Sequence, residues 1–308
     1  MKQLLWSTLA SLLVATTMHA QTRTIAERLG HPANSKLLIL HADDLGVSHS
    51  ENAASLDALD KGVINSASIM IPTPWVTELA EYVKKNPNHD LGLHLTLTSE
   101  WATYRWGSTA PRDQVPSLHD EDGTLPRSTQ TVMTRAKLDE VEKELRAQID
   151  RAYAIGIKPT HVDSHMGALF NTPELMATYV KVARSYKLPF LAFISTPRPG
   201  TQAVVTKADV IPDTVIIADD KVPADKWKQF YLDAVNGLKP GLTEIIVHLA
   251  YDDSEMRAVT VNHDAYGAAW RQRDYDVLNS PEFKKALKDN GVILVTWREL
   301  GKLMPPTS

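Results

Sequence analysis

The fold is decided by the stretch LLILHADDLG at residues 37–46. Its apolar first half predicts a buried strand, and the strand closes on two adjacent carboxylates, Asp43 and Asp44. Ionised groups are costly to bury unless they are paired, hydrogen-bonded or bound to a metal. A turn at residues 44–46 would bring both carboxylates to one site. The alternative is that one of them caps the helix that follows.

Two further strand-like segments carry histidines. In LGLHLTLT, residues 91–98, strict alternation puts four leucines on one face and His94 on the other. In HVDSH, residues 161–165, the side chains of His161, Asp163 and His165 share one face. Three titratable groups on one face of a buried strand are hard to explain as packing alone. Carboxylates and imidazoles together indicate a divalent metal with acid and base groups around it.

Strand-like and helical patterns alternate along the chain, with no repeat or low-complexity linker between them. Beyond the first strand, we predict strands at residues 63–71, 91–98, 161–165, 188–194, 215–218, 244–249 and 291–296, and helices at residues 52–61, 76–85, 137–154, 173–186, 226–237 and 281–289. This alternation predicts an α/β fold with a parallel sheet, open or closed into a (β/α) barrel. Polar residues at several strand ends favour the barrel, because such barrels carry their chemistry on that face.

Composition narrows the class of protein. The chain has 308 residues, of which 43% are apolar, so it can bury a large core. A net charge of −4 gives no basic surface, and nucleic acid is not an expected partner. The chain has no cysteine, which excludes disulfides and thiolate ligands, so any metal must take nitrogen and oxygen ligands.

The first 20 residues are typical of a signal peptide. Lys2 precedes an uncharged, largely apolar stretch at residues 4–17 that is short for a membrane span, and cleavage is expected near Ala20. An uncleaved membrane anchor is the alternative. We therefore predict a signal peptide at residues 1–20, an N-terminal extension at 21–35, one domain at 36–303 and a tail at 304–308. The expected location is secreted or periplasmic, without stable membrane insertion, and a dimer is one option for the oligomeric state.

Segments later in the chain contain further candidate site residues, for which the sequence evidence is weaker. His248 ends the apolar run at residues 245–247 and is a candidate acid or base. Arg271 and Asp274 lie on a helix-like segment, where they can form a supporting ion pair. A solvated surface face is the interpretation that the sequence alone favours for this pair.

Four motifs taken together resemble the YdjC-like carbohydrate deacetylases, a family of chito-oligosaccharide deacetylases, over about residues 36–303. They are ADDLG at 42–46, LGLHLTLT at 91–98, KPTHVDSH at 158–165 and EIIVH at 244–248. The resemblance implies a single-domain (β/α) barrel of the polysaccharide-deacetylase-like type.

The resemblance also implies roles for individual residues. It implies that Asp44, His94 and His165 bind the metal, that Asp43 is the catalytic base and that His248 is the acid. By their place on the strand, His161 and Asp163 are candidates to orient these ligands by hydrogen bonds. The chain departs from the family's pattern at Met166-Gly167, where further histidines are common, and at Leu249, where proline is common. Both departures lie beside predicted site residues and bear on substrate preference.

The chemistry expected of such a site is metal-assisted removal of acetyl groups from an acetylated mono- or oligosaccharide. Mg²⁺ is the first expectation for the metal, and Zn²⁺, Mn²⁺ and Co²⁺ also suit the ligands. The long polar segment 99–135 carries Trp101, Tyr104 and Trp106, which either stack on sugar rings or pack the loop. Arg271 is a further candidate for contact with the substrate.

Two other functions compete with deacetylation. One is a non-haem iron oxygenase, in which His161, Asp163 and His248 would form a 2-His-1-carboxylate site. The other is a carbohydrate-binding protein without catalysis. The oxygenase leaves Asp43, Asp44 and His94 unexplained, and a binding protein has no need of paired carboxylates at a strand end.

Overall fold

A computed structural model describes residues 23–193, 204–206 and 209–304. The predicted signal peptide and the last residue of the strand predicted at 188–194 lie outside these ranges. Within them, every helix is too short or too polar to cross a membrane.

The core of the fold is a parallel sheet of seven strands. They are β1 (Lys36–Leu45), β2 (Ser66–Ile69), β3 (Leu91–Leu95), β4 (Val162–Ser164), β5 (Thr214–Ile217), β6 (Gly241–Val247) and β7 (Ile293–Leu294). Their order in the sheet is β4-β3-β2-β1-β6-β5, and β7 pairs with β1 at its N-terminal end. β1 therefore lies at the centre and contacts strands from both halves of the sequence.

Helices surround the sheet. They are α1 (Ile25–Arg28), α2 (His49–Asp60), α3 (Val76–Lys85), α4 (Thr129–Arg135), α5 (Leu138–Ala154), α6 (Pro173–Ser185), α7 (Trp227–Asn236), α8 (Ser254–Val259), α9 (Ala268–Asn279), α10 (Pro281–Asp289) and α11 (Trp297–Gly301). The leucines of β3 pack into the main core, as predicted, while His94 points the other way into a cavity.

Alternate residues of β1 face two different cores. Leu38 and Leu40 pack in the main core, whereas Leu37 and Ile39 pack in a smaller one with Trp297. Continued alternation would send Asp43 and Asp44 to opposite faces. The pairing register shifts between Ala42 and Leu45, and Asp44 has a φ of 73°, in the left-handed region. This bulge brings both carboxylates to one cavity, as the predicted turn requires.

The predicted α/β barrel fold is confirmed in the form of a curled, incomplete barrel. Among the described residues, the edge strands β4 and β5 are not paired with each other. The strand predicted at residues 188–194 is wrong in its described part, which forms only a single bridge between Phe190 and Val162. Pro189 has no N–H group to donate, so a regular ladder cannot continue there.

The interpretation of Arg271 and Asp274 as a solvated surface face is also wrong. Both lie on α9, and each is only 1% exposed. The alternative that Asp43 or Asp44 caps the next helix is not realised either. The N-cap of α2 is Ser48, whose hydroxyl accepts a hydrogen bond from the Glu51 backbone.

Candidate metal centre and active-site cavity

A cavity of about 600 Å³ opens where β1, β3, β4 and β6 end. Its polar lining comes from the ends of these strands, from loops beyond them and from α9. The polar residues are Asp43, Asp44, His94, Glu100, Arg127, Asp163, Ser164, His165, His248, His263 and Arg271. Four separate segments thus deliver carboxylates and imidazoles to one space, which is the arrangement expected at the carboxyl ends of parallel strands.

Three buried side chains form what we call the outer cluster: Asp44, His94 and His165. The Asp44 Oδ1 atom lies 3.4 Å from His94 Nε2 and 3.1 Å from His165 Nδ1. Oδ1 is buried and has no hydrogen-bond partner among the described residues. One oxygen and two ring nitrogens close enough to share an ion are a suitable donor set for a divalent metal.

The outer cluster is oriented from behind by two carboxylates. Asp163 Oδ1 lies 2.7 Å from His94 Nδ1, and Glu100 Oε2 lies 3.0 Å from His165 Nε2. When each carboxylate accepts the proton of one ring nitrogen, the other nitrogen is left to face Asp44. Carboxylates commonly hold metal-ligating histidines in this way. Asp163 lies where the sequence predicts an orienting residue, while Glu100 was not predicted.

Arg271 holds the second oxygen of Asp44. Its Nη2 donates to Asp44 Oδ2 at 2.5 Å, and its Nε donates to the Tyr266 carbonyl at 2.7 Å. The guanidinium also lies over the Trp101 ring, 5.6 Å from the ring centre. Arg271 therefore pairs with Asp44, and not with Asp274 as the sequence suggested. Burial opposes ionisation of Asp44, but Arg271 and the two imidazoles hold its pKa well below the usual range.

In the metal-free protein, both imidazoles of the outer cluster are in the charged, doubly protonated form at pH 7. Burial lowers the pKa of His165, but Glu100 and Asp44 outweigh it and raise that pKa to about 9. The pKa of His94 is likewise raised well above its usual value, against burial, by the carboxylates around it. A cation that binds here must displace these protons.

Asp43 and His248 flank the outer cluster. Asp43 Oδ2 lies 3.8 Å from His94 Nε2 and 3.9 Å from His248 Nε2. Burial and the nearby Arg271 lower the pKa of His248 to about 4, so its ring is neutral at pH 7. The His248 backbone N–H donates to Asp274 Oδ2 at 3.0 Å, which fixes the end of β6 on α9.

Beneath the cavity lies a second group, which we call the inner cluster: His41, His161 and Glu244. His41 was not predicted from the sequence, although it lies two residues before Asp43 and so on the same strand face. The expectation that His161 orients a ligand is wrong. Its ring stacks on Trp297 and contacts Thr160 Oγ1, with none of the outer cluster within hydrogen-bond distance. The third member, Glu244, accepts a hydrogen bond from Trp297 Nε1.

Of the three predicted aromatic residues, one reaches the cavity. Trp101 lies on the cavity wall, 2% exposed. Trp106 lies behind it and donates from Nε1 to the Thr98 carbonyl, and Tyr104 donates to the Val47 carbonyl. The rest of the wall is mainly apolar and was not predicted. Its residues are Met166, Phe170, Leu191, Phe193, Ile217, Ile246 and Tyr266.

The oxygenase alternative does not fit this geometry. It requires His161, Asp163 and His248 around one ion. His248 lines the cavity, whereas the fully buried His161 does not. The residues close enough to share an ion with His161 are His41 and Asp163.

Comparison with known proteins identifies the family. The model of the family described as "YdjC-like protein" matches residues 37–289. This chain belongs to the YdjC-like family. It is 34% identical to a carbohydrate deacetylase of Thermus thermophilus, over 89% of this chain and 97% of the relative. It is 29% identical to a carbohydrate deacetylase of Geobacillus stearothermophilus, over 86% and 98%.

A solved structure shares the fold of this YdjC-like chain. It comes from Enterococcus faecalis and is named for a suggested role in cellobiose-phosphate cleavage. The two superpose with a TM-score of 0.74 at 27% identity, over 86% of this chain and 99% of the other. The resemblance inferred from four motifs therefore extends to the architecture.

The comparisons correct one expectation. A secreted or periplasmic location was predicted from residues 1–20, and this prediction is wrong. The two curated deacetylases are matched over 97% and 98% of their own length by only 89% and 86% of this chain. The relatives therefore have almost no unmatched length in which a corresponding leader could lie.

Proposed function

We propose that this protein is a metal-dependent hydrolase that removes acetyl groups from acetylated sugars, with N-acetylglucosamine-containing oligosaccharides as the expected class. The observation that carries the proposal is the convergence of His94 and His165 on one buried oxygen of Asp44, which accepts no hydrogen bond from the described residues. The curated relatives carry the name carbohydrate deacetylase, which confirms the predicted enzyme class. The acting domain is proposed to span residues 36–303.

Asp44 Oδ1, His94 Nε2 and His165 Nδ1 would hold a divalent cation, with Mg²⁺ proposed first. When bound, such an ion acts as a Lewis acid that polarises the acetyl carbonyl and stabilises the negative charge that develops on it. Arg271 occupies the other oxygen of Asp44, so Oδ1 remains available as a ligand. Asp163 and Glu100 keep the two imidazoles in the orientation that points a ring nitrogen to Asp44.

Asp43 is proposed as the general base. Its Oδ1 is held by His41 at 3.2 Å and by the Ser68 hydroxyl at 3.4 Å. The Oδ2 atom therefore faces the cavity between His94 and His248. A carboxylate oxygen in this place can take the proton of a water molecule as that water attacks the acetyl carbon.

His248 is proposed as the group that returns a proton to the leaving sugar nitrogen. Because its pKa is lowered to about 4, the ring enters the reaction neutral and must gain a proton during turnover. Asp43, with Oδ2 at 3.9 Å from His248 Nε2, is the nearest group that becomes protonated in the attack step. The proton removed from water can thus pass from Asp43 to His248 and on to the leaving group.

The sugar would lie against the apolar wall. The C–H face of a pyranose ring is apolar, and the cavity offers Trp101, Tyr266 and Phe193 beside the polar groups. Tyr266 also packs edge-on against His248, with ring centres 4.8 Å apart. An aromatic side chain next to the proposed acid can place the leaving nitrogen near His248.

The test is acetate release by protein from which metal has been removed. The metal-free protein is reloaded separately with Mg²⁺, Mn²⁺, Co²⁺ or Zn²⁺ and incubated with N,N′-diacetylchitobiose or with an O-acetylated oligosaccharide. We expect acetate from diacetylchitobiose only after metal is added. Failure to release acetate from either sugar with all four metals would overturn the proposal.

A further inference from the structure

His41 lies behind the proposed base and takes no part in the proposed proton transfers. It lies on β1, is fully buried, and faces the same side as Asp43. His41 Nε2 is 3.2 Å from Asp43 Oδ1 and 3.1 Å from Asp163 Oδ2. One ring nitrogen thus lies between the proposed base and the carboxylate that orients His94.

The chemistry of these contacts requires a proton on Nε2. Two carboxylate oxygens accept and cannot donate when ionised, so the nitrogen between them must supply the hydrogen. The opposite nitrogen, Nδ1, lies 2.9 Å from the Ser66 hydroxyl and 3.6 Å from Glu244 Oε1. Burial lowers the pKa of His41, but the hydrogen bonds with Asp163 and Asp43 outweigh it and raise that pKa to about 10.

The contacts assign each oxygen of the two carboxylates. Asp43 Oδ1 is turned toward His41, which leaves Oδ2 toward the cavity. Asp163 Oδ2 is turned toward His41, which leaves Oδ1 for His94 Nδ1 at 2.7 Å. Without His41, Asp163 Oδ2 would lose this partner and Asp43 Oδ1 would keep only the longer contact with the Ser68 hydroxyl, so both carboxylates would be less firmly oriented.

We propose that His41 is a positioning residue that orients the base Asp43 and, through Asp163, the proposed metal ligand His94. This inference rests on the proposed function for its catalytic part. It gives one buried imidazole two separable effects. One is an effect on rate that passes through Asp43, and the other is an effect on metal affinity that passes through Asp163.

The rate effect is tested with a double-mutant cycle. We expect His41→Ala to lower kcat by roughly 10- to 100-fold, the range typical of residues that orient catalytic groups from behind, with a smaller change in KM. In the Asp43→Asn background, the same change should lower kcat by less than about 3-fold, because the base is already absent. An equal loss in both backgrounds would overturn the role, since general damage to the fold does not depend on Asp43.

The metal effect needs no turnover. Binding of Mn²⁺ by calorimetry should weaken in His41→Ala and in Asp163→Ala, and the double variant should be no weaker than Asp163→Ala alone. Additive losses would overturn the path through Asp163. This arm remains informative if the wild-type protein releases no acetate, so failure of the proposed function and failure of this inference are distinguishable.

Conservative variants keep the test decisive if His41→Ala does not fold. In His41→Gln, the side-chain amide nitrogen can reach both carboxylates with its two hydrogens, whereas the shorter side chain in His41→Asn cannot. We expect His41→Gln to recover a large part of kcat and His41→Asn to recover little. His161→Phe is the matched control, because it replaces a buried imidazole that packs edge-on against His41 but has neither carboxylate within hydrogen-bond distance. Equal kcat in His41→Gln, His41→Asn and wild type would contradict the assignment.

Discussion

The outer and inner clusters are built from the same kinds of residue and differ in their access to the cavity. In the outer cluster, Asp44 Oδ1 faces two imidazole nitrogens, and Asp44, His94 and His165 all line the cavity. In the inner cluster, both nitrogens of His41 already contact oxygens, and no residue of the cluster reaches the cavity. His41 and His161, with Asp163, are also close enough together to hold an ion.

Proximity of histidines and carboxylates is therefore not sufficient to identify a metal site. A site needs donor atoms that are still free and a space through which the ion and the substrate can enter. The inner cluster lacks the second, since the His161 ring is packed against Trp297 and leaves no room at Gly92, although His161 Nε2 and Glu244 Oε2 have no hydrogen-bond partner among the described residues. A Cβ atom at that glycine would lie 2.4 Å from the His161 ring. We therefore assign metal binding to the outer cluster, and to the inner cluster the orientation of the groups around it.

The largest expected difference between the clusters is in metal binding. His94→Ala and His165→Ala should each lose metal affinity by more than about 100-fold, because even orienting partners cost about 10- to 100-fold, and nearly all activity should be lost with it. His161→Phe should keep both, since the phenyl ring preserves the stack on Trp297. Metal content of the purified variants measures the effect. Full occupancy in His94→Ala or His165→Ala would contradict the outer cluster as the metal site.

Substitution of the two adjacent carboxylates should have different effects, one on the catalytic rate and the other on metal binding. Asp43→Asn keeps its shape and removes the proton acceptor, so we expect metal to remain bound and kcat to fall by roughly 10²–10⁴. Asp44→Asn should instead deplete the metal. Metal content and turnover are measured on both variants. If Asp43→Asn loses metal and Asp44→Asn retains it, the two roles are reversed.

Metal affinity should rise with pH. In the metal-free protein, the pKa of His165 is about 9, so its ring is protonated at pH 7 and must lose that proton to become a ligand. Apparent affinity should therefore increase from pH 6 toward pH 9, by at most about tenfold per pH unit for each proton released. Calorimetry in two buffers of different ionisation enthalpy counts the protons. An affinity that does not change with pH, with no proton released, would show that the rings are already neutral.

The smallest expected effects concern the aromatic loop. Trp101→Ala removes part of the cavity wall and should raise KM more than it lowers kcat. Trp106→Ala removes a ring that packs behind the wall, so we expect a lower Tm with KM nearly unchanged, as large core truncations cost about 3–5 kcal/mol. Steady-state kinetics and thermal melts on both variants distinguish the two. An unchanged KM in Trp101→Ala would mean that this ring only holds the loop.

Much of the fold could be predicted because its elements have clear periodic patterns. α3 and α10 begin and end at the predicted residues, and β3 and α5 differ only at their ends. The sequence predicts α9 only as a helix-like segment, because its buried face carries the charged residues Arg271 and Asp274, three positions apart, beside apolar ones. Pattern analysis assumes that a buried face is apolar, and that of α9 is only partly so.

The candidate site could be predicted in part. Strand residues follow a simple alternation and strand ends are visible in the sequence, so Asp43, Asp44, His94 and His165 could be predicted as site residues. Glu100 lies in an irregular segment without periodicity, and only its contact with His165 reveals it. Whether Arg271 faces solvent or Asp44 depends on how α9 packs against β1, which no local pattern encodes.

The central place of β1 has a consequence for synthesis of the chain. β1 pairs in register with β6, from Lys36 with Gly241 onward, so it lacks that neighbour until about 200 more residues have been made. At a translation rate of about 5–20 residues per second, this takes roughly 10–40 seconds. During that time the apolar strand is exposed, and such strands aggregate unless charges flank them. Asp43 and Asp44 place two such charges near the end of this strand, so we expect neutral substitution of both to make the nascent chain more prone to aggregate.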